Sequence, residues 1–179
     1  AALRGALGRG DGLIAHCGTG SFFGAQINGQ ARFAGGWGSI LGDEASAHWV
    51  GRLALTQLLR QVDGFVAASP LMSELGEHLG DVENVVAFAR RAKPADFGAF
   101  APRVTSYAAT GAAVAIAILK AGADHIAPGT TLCLTGGSGP EYAPYLAETH
   151  RADIAKPLGE PLDGAVALAE ENEVPHGHS

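Results

Sequence analysis

The sequence predicts an α/β layered domain, and three observations along its 179 residues support that fold class. Apolar runs typical of strands open the chain, helical periodicity dominates its middle, and a strand, a glycine turn and a helix follow one another near its end. The length suits one domain with a hydrophobic core and is short for two. We therefore expect a single domain over residues 1–179.

The first part of the chain carries the strand signals. The stretch "LIAHC", residues 13–17, predicts a short buried strand that runs into a glycine turn at Gly18. In residues 22–35, "FFGAQINGQARFAG", the pair Asn28-Gly29 separates two short runs. This pair is the strongest local signal for a tight antiparallel hairpin.

From Asp43 onward the apolar residues recur at helical spacing. Asp43 is the expected N-cap of a helix that ends at Asp63-Gly64. A second helical region is predicted over residues 70–91, with an interruption near Gly80-Asp81 and Pro94 closing it. The sequence that follows predicts one long buried helix over 102–123. Its most apolar part, residues 107–123, is shorter than the ~20 residues that a membrane helix needs, and it carries Thr110 and Lys120.

The last part returns to a strand. "TTLCLTGGSG" predicts a buried strand and a second glycine turn, followed by a helix over "PEYAPYLAETH". A final amphipathic helix is expected over 161–171, with Pro161 at its favourable first position, and the tail 173–179 is expected to fray.

Composition excludes several classes of function. The net charge of -6 and the lack of a basic run argue against binding to nucleic acid or to an anionic membrane. Cys17 and Cys133 form no CxxC pair, so neither a zinc ribbon nor a cysteine-ligated cluster is indicated, and a reducing, cytoplasmic setting is expected. The histidines show no metal-ligand spacing, and Ser39, Ser46 and Cys17 lie in no nucleophile motif. We assign no metal ligand and no catalytic residue.

Two glycine turns are candidate phosphate or nucleotide sites. In Gly18-Thr19-Gly20-Ser21 the glycines let backbone N–H groups converge on an anion, and the two hydroxyls can donate to phosphate or sugar oxygens. In residues 135–139, "TGGSG", the turn precedes a predicted helix whose N-terminus suits a nucleotide. The turn at 135–139 is neither a P-loop nor a Rossmann fingerprint. For the turn at Gly18, the alternative is a plain strand-to-strand turn.

A third candidate joins "GGWG" to Gly42-Asp43-Glu44. A tryptophan held between glycines offers a ring face and an N–H to a flat polar ligand, and a carboxylate six residues on can accept bonds from vicinal hydroxyls. This combination is typical of a sugar site. The alternative makes Trp37 a core residue and Asp43 only a helix N-cap.

Four stretches, in this order, resemble one family: "GTGS", "GGWGSILGDEASAHW", "LTGGSGP" and "PLDGAVALA". They look like the C-terminal half of the N-acetylglucosamine and glucosamine kinases, members of the BadF/BadG/BcrA/BcrD-type ATPases in the actin-like sugar-kinase superfamily. The resemblance spans the chain from about Leu3 to Glu170. Its most specific part is "GGWGSILGDE".

The resemblance implies a ribonuclease-H-like (actin-like ATPase) domain, a mixed sheet with helices on both faces, one of two domains that close on ATP, Mg²⁺ and an amino sugar. The implied phosphate contacts are Gly18, Thr19, Gly20 and Ser21, and the implied nucleotide contacts are Gly136, Gly137 and Ser138. The implied sugar contacts are Thr19, Gly36, Trp37, Asp43 and Ala47. The helix from Leu162 matches an element near the domain hinge.

Two departures from the family pattern stand out. Ala45 replaces a glycine of the usual GDEGS, and no first phosphate turn or catalytic aspartate is present in these residues. The resemblance therefore implies that the base lies upstream of Ala1, that an N-terminal domain of the same protein completes the enzyme, and that this chain alone is inactive.

Two readings remain besides the kinase. The first is an ATPase that activates a dehydratase or reductase, with an iron–sulfur cluster held by cysteines at a subunit interface. The second is a nucleotide- or sugar-binding module without chemistry. The identity of the sugar and the oligomeric state stay open, although long helices of this family often form a homodimer interface.

Overall fold

A four-stranded mixed sheet forms the centre of the computed structural model, which describes residues 1–126 and 131–173. The strands run in the order β3-β2-β1-β4, with β1 antiparallel to β2 and parallel to β4. Ile154 adds a parallel bridge outside β4, on Leu132. The strands are β1 (Gly12–Cys17), β2 (Ser21–Ile27), β3 (Gln30–Gly35) and β4 (Leu132–Thr135).

The predicted hairpin is confirmed. Strands β2 and β3 pair antiparallel from Phe22 opposite Gly35 to Ile27 opposite Gln30. Asn28 and Gly29 form the two-residue loop with φ angles of 51° and 73°. Positive φ at both positions is what a type I′ turn requires, and its twist matches that of the flanking strands.

Helices surround the sheet in the described part of the chain. They are α1 (Ala2–Leu7), α2 (Ala47–Val62), α3 (Pro70–Leu79), α4 (Val82–Arg91), α5 (Pro94–Gly98), α6 (Ala101–Ala109), α7 (Ala113–Ala123), α8 (Glu148–Arg151) and α9 (Pro161–Glu173). The predicted ends at Asp63, near Gly80 and at the residues before Pro94 are confirmed, as is the start of α9 at Pro161. The predicted frayed tail falls largely on residues 174–179, outside the described residues.

Both faces of the sheet are covered by helices, as the resemblance implied. Ile14 and Cys133 point to one face and pack with Leu3 and Leu7 of α1. Ala15 and Cys17 of β1, with Leu132 and Leu134 of β4, point to the other face, into the larger core formed with α2 to α7. This alternation follows from the two-residue period of a strand. Helix α9 packs on α1. Glu171 of α9 forms ion pairs there with Arg4 and Arg9.

The prediction of one long helix over 102–123 is wrong. The segment forms α6 and α7, and the helical stretch Pro94–Ala109, which comprises α5 and α6, meets α7 at an angle of 114°. The break lies at Gly111, whose φ of 90° is outside the helical region. Apolar periodicity continues through the break, so it conceals the bend. No single helix among the described residues is long and apolar enough to cross a membrane; the two bent segments reach that length and composition only together.

The helix predicted over residues 140–150 is also different. Residues Pro140–Tyr145 form a 3₁₀ helix, and α8 follows as a separate single turn. Pro144 inside the segment has no N–H to donate, which disfavours a continuous α-helix. The glycine turn of 136–139 is therefore followed by a short, tight element.

Tyr142 of this 3₁₀ helix places a hydroxyl group in the core. Its side chain is fully buried against α7, and its hydroxyl has no hydrogen-bond partner among the described residues. Because a buried unsatisfied hydroxyl opposes folding, we expect Tyr142→Phe to leave the free energy of unfolding unchanged or to raise it by up to about 1 kcal/mol. Urea denaturation, with Tyr145→Phe as the control, measures this. A loss of stability would show that the Tyr142 hydroxyl has a partner.

Candidate functional site

The three glycine-rich candidates meet at one end of the sheet, where β1 and β4 stop side by side. The carbonyl oxygen of Cys17 accepts a hydrogen bond of 2.8 Å from the Ser138 N–H, which joins the two turns. On the other side, the carboxylate of Asp43 lies against the Cα of Gly20, about where a side chain would project. Residues far apart in sequence are thus brought together around Gly18.

The turn at Gly18-Thr19-Gly20 has its carbonyl groups occupied. Ala47 N donates to Gly18 O at 2.8 Å, His48 N to Thr19 O at 3.3 Å, and Gly18 N to Gly20 O at 2.9 Å. The N–H groups of Thr19 and Gly20 donate no hydrogen bond to any described residue. Free backbone N–H groups in a glycine turn are able to bind an anion. The predicted phosphate contact of this turn is compatible with these hydrogen bonds and stays a prediction.

The two hydroxyls of this turn differ in their surroundings. Thr19 is exposed, and its hydroxyl is free to meet a ligand. Ser21 is buried, and its hydroxyl donates to the Glu44 carbonyl oxygen at 2.5 Å. The Ser21 side chain therefore ties the loop that carries Asp43 to the turn, and its hydroxyl is not directed at a ligand.

The expected N-cap role of Asp43 is wrong. Helix α2 begins at Ala47, and the Ser46 hydroxyl accepts the capping hydrogen bond from Trp49 N at 3.1 Å. Asp43 instead has a φ of 57°, in the left-handed region that aspartate tolerates better than most residues. Its carboxylate accepts no hydrogen bond from a described residue, which leaves both oxygens beside Gly20 available as acceptors.

Trp37 is 76% exposed, so the alternative that made it a core residue is wrong. The loop from Gly35 to Gly42 closes on itself through a 2.9 Å bond from Gly42 N to Gly38 O. Gly36 packs over the Cβ of Phe22 and Trp37 over Gly42. Trp37 therefore lies, largely exposed, in the loop that leads into Asp43.

A cleft of about 490 Å³ connects the two turns. Its walls include Gly18, Thr19 and Ala47 on one side and Gly137 and Ser138 on another, all predicted site residues. The remaining wall was not predicted: it consists of Gly98, Ala101, Pro102, Thr105 and Glu141. Pro102 in the first turn of α6 is a helix-start signal and carries no functional signature, so only the packing of α6 on α2 reveals this wall.

Two histidines near the site pack against neighbouring side chains of the fold. His16 Nδ1 lies 3.0 Å from the Thr135 hydroxyl, and the ring stacks on Phe22. Burial lowers the pKa of His16, which keeps it neutral near pH 7. His48 is buried against Phe97, with neither ring nitrogen bonded to a described residue.

The two cysteines do not form a common site. Cys17 belongs to the larger core and Cys133 to the α1 side, so their side chains lie on opposite faces of the sheet, and both are buried. Burial raises the pKa of Cys17 to about 12, which makes its thiol a poor ligand and nucleophile. Among the described residues no group of three or more His, Cys, Asp or Glu side chains is arranged to hold a metal ion.

Comparison with known proteins identifies the relatives of this chain. The model of the BadF/BadG/BcrA/BcrD ATPase family matches residues 1–130. The chain is 29% identical over 169 residues to the glucosamine kinase of Vibrio cholerae, an alignment that covers 89% of this chain and 58% of that protein. Over 63 residues it is 38% identical to an N-acetylmuramic acid/N-acetylglucosamine kinase of Clostridium acetobutylicum, covering 35% of this chain and 21% of that protein.

Solved structures agree with the fold. A Chromobacterium violaceum protein described as an N-acetylglucosamine kinase superposes with a TM-score of 0.81 at 33% identity, over 93% of this chain and 62% of that one. A Porphyromonas gingivalis protein superposes with a TM-score of 0.73 at 20% identity, over 97% of this chain and 65% of that one. At this identity it supports the fold alone. The actin-like fold class is thereby confirmed.

The same comparisons correct one expectation. The description of the chain as the C-terminal half of such a kinase is wrong in that framing, because the family match lies in residues 1–130, the N-terminal part of this chain. The chain spans about three fifths of the length of its first relatives, 58% of the V. cholerae protein and 62% of the C. violaceum protein.

Proposed function

The chain belongs to the BadF/BadG/BcrA/BcrD ATPase family, and on that premise we propose that the whole protein is an ATP-dependent amino-sugar kinase. It transfers the γ-phosphoryl group of ATP to the 6-hydroxyl of glucosamine or N-acetylglucosamine. One observation carries the proposal: the Asp43 carboxylate lies directly beside Gly20 of a turn with free N–H groups. A hydroxyl acceptor and an anion site are thus adjacent, as transfer from a phosphate to a sugar requires.

In the proposed complex the nucleotide occupies the cleft of about 490 Å³. The free N–H groups of Thr19 and Gly20 bind phosphate oxygens, and the Thr19 hydroxyl adds a donor. The adenosine extends toward Gly137 and Ser138, away from Asp43. Mg²⁺, which prefers phosphate and carboxylate oxygens, accompanies the phosphates.

The sugar occupies the space next to the loop from Gly35 to Gly42. Asp43 accepts hydrogen bonds from vicinal sugar hydroxyls, and the exposed Trp37 offers an apolar ring face to the C–H groups of the pyranose. Gly36, which has no side chain, and Ala47, which has only a methyl group, complete the proposed contacts and leave room for the ring. Asp43 acts by orientation, because its position aims the sugar at the phosphate turn.

The chemical step needs a base that removes the proton from the attacking hydroxyl, and we propose that residues outside this chain supply it. As charge develops on the transferred phosphoryl group, the preorganised N–H groups of Thr19 and Gly20 stabilise its oxygens. Closure of the site around both substrates excludes water and suppresses ATP hydrolysis.

A cytoplasmic location and a homodimer are part of the same proposal.

The test is ADP release by the full-length protein with ATP and magnesium, comparing glucosamine, N-acetylglucosamine, glucose and no sugar. We expect release that depends on one of the amino sugars. Release that is indifferent to sugar would favour an ATPase activator, and absence of release with retained nucleotide binding would favour a binding module. Either result would contradict the kinase proposal.

The two cysteines of this chain give no support to the activator reading. A cluster at a subunit interface needs cysteines at the surface, and Cys17 and Cys133 are buried on opposite faces of the sheet. The exposed ring of Trp37 and the unpaired carboxylate of Asp43 suit a sugar, which needs an apolar ring face and a hydrogen-bond acceptor. A dehydratase activator needs neither of them.

A further inference from the structure

A second cleft, of about 340 Å³, opens on the sheet face that also carries the larger core. Its size falls within the range of small-molecule sites, which is roughly 300–1,000 Å³. The lining is apolar except for one guanidinium group, and it includes Leu13, Phe23, Ala25, Ala34, Ile126 and Arg32. None of these residues takes part in the candidate kinase site.

The strand register explains why these side chains share one surface. One row of successive partners crosses the four strands and consists of Leu132, Leu13, Ala25 and Arg32. A second row, two positions along, consists of Leu134, Ala15, Phe23 and Ala34. Because side chains alternate between faces with a period of two, both rows point to the same face.

Helices cover only part of these rows. Leu132, Leu134 and Ile126, at the β4 end, are buried. Phe23 and Ala25 are half-buried, and Arg32 and Ala34 on the edge strand β3 are exposed. Among residues 1–126 and 131–173 the cover therefore stops part-way across the sheet, and it leaves a recess with a buried apolar end and an open end at Arg32.

Arg32 gives this recess its chemical preference. Its guanidinium forms no ion pair and no hydrogen bond with any described residue, although three other arginines of the chain are ion-paired. In a chain of net charge -6, an approaching anion is repelled over most of the surface and is attracted locally by such a group. A guanidinium recognises a carboxylate through paired N–H···O bonds.

We propose that this cleft binds a small hydrophobic carboxylic acid. The apolar body lies on the two rows, toward Ile126, and the carboxylate pairs with Arg32 at the sheet edge. The site is separate from the phosphate turn, since it lies over Leu13 and Ala25, whereas the turn follows the opposite end of β1. The proposal does not depend on the kinase function.

The experiment uses two fluorescent probes that share one apolar body, 1-anilinonaphthalene-8-sulfonate and the uncharged N-phenyl-1-naphthylamine, with the full-length protein. We expect one probe per chain and an affinity about tenfold higher for the sulfonate, the size of one exposed charge-assisted contact. Arg32→Gln is expected to abolish that difference and to leave the affinity for the neutral probe unchanged. Arg52→Gln, at an exposed arginine of α2, is the matched control and changes neither.

Two further measurements complete the test. Ala25→Ile, which fills the cleft with a residue favoured in strands, is expected to weaken both probes at least tenfold while urea denaturation shows an intact fold. 3-Phenylpropionate is expected to displace the sulfonate probe, and 3-phenylpropanol is not. Sulfonate binding that survives both Arg32→Gln and Ala25→Ile, or equal displacement by acid and alcohol, would overturn the proposal. So would self-association of the protein that blocks both probes.

Discussion

Asp43→Asn in the full-length protein is expected to lower kcat/KM for the amino sugar by at least about 100-fold while ATP affinity stays within about twofold. The carboxylate is proposed to accept two sugar hydroxyls, and hydrogen bonds to a charged group contribute roughly 1.5–3 kcal/mol each. Asparagine tolerates the left-handed φ of 57° at this position, so the backbone of the loop is preserved. Alanine would add backbone strain and blur the result.

Glu44→Gln is the matched control for this prediction. Glu44 is adjacent and half-buried, and its backbone carbonyl, not its side chain, accepts the bond from Ser21. We expect this variant to keep sugar use within a few-fold of the wild type. Equal losses of sugar use and nucleotide binding in Asp43→Asn would contradict the assignment of Asp43 to the sugar.

Gly136→Ala is expected to destabilise the fold by about 2–4 kcal/mol in urea denaturation followed by circular dichroism. Gly136 has a φ of 78°, where an L-residue is strained, and an added Cβ would lie 2.5 Å from the carbonyl oxygen of Cys17. That oxygen is backbone at the end of a central strand, so it cannot turn away as a side chain would. The added methyl group must therefore push the two turns apart.

Gly137→Ala tests whether this effect is specific. The neighbouring glycine has no positive φ, and an added Cβ would meet no atom within 4 Å. Its cost in stability is expected to stay below about 1 kcal/mol, the cost of an ordinary surface change. Comparable destabilisation by both variants would mean that the turn tolerates no side chain at all, and that the contact with Cys17 is not the cause.

Local patterns were sufficient for several features of this protein. The strand before Gly18, the hairpin at Asn28-Gly29 and the final helix from Pro161 were predictable, because a two-residue apolar period, a positive-φ turn pair and a helix-start proline act within a few residues. The Gly18–Ser21 and Gly136–Ser138 turns were predicted from the same kind of signal. Family membership came from their order along the chain together with "GGWGSILGDE".

Other features were not predictable from local pattern. The apolar spacing of residues 102–123 continues across Gly111, and the 114° bend there is set by how α6 and α7 pack on α2. Asp43 and Ser46 are both good N-cap residues, and the helix begins after Ser46 because the Ala47 and His48 N–H groups bond to the Gly18 turn. Choosing between them requires knowing where that turn lies.

By itself, the sequence determined where the strands and most of the helices lie and which glycine turns are candidates for binding phosphate, because these depend on backbone freedom and side-chain chemistry at single positions. Only the tertiary structure decided that Asp43 lies beside Gly20, that α6 and Glu141 wall the cleft between the two glycine turns, and that Arg32 ends an apolar row across four strands. Each of these contacts joins residues that the chain keeps far apart, and their distances are set by strand register and helix packing, which no local pattern encodes.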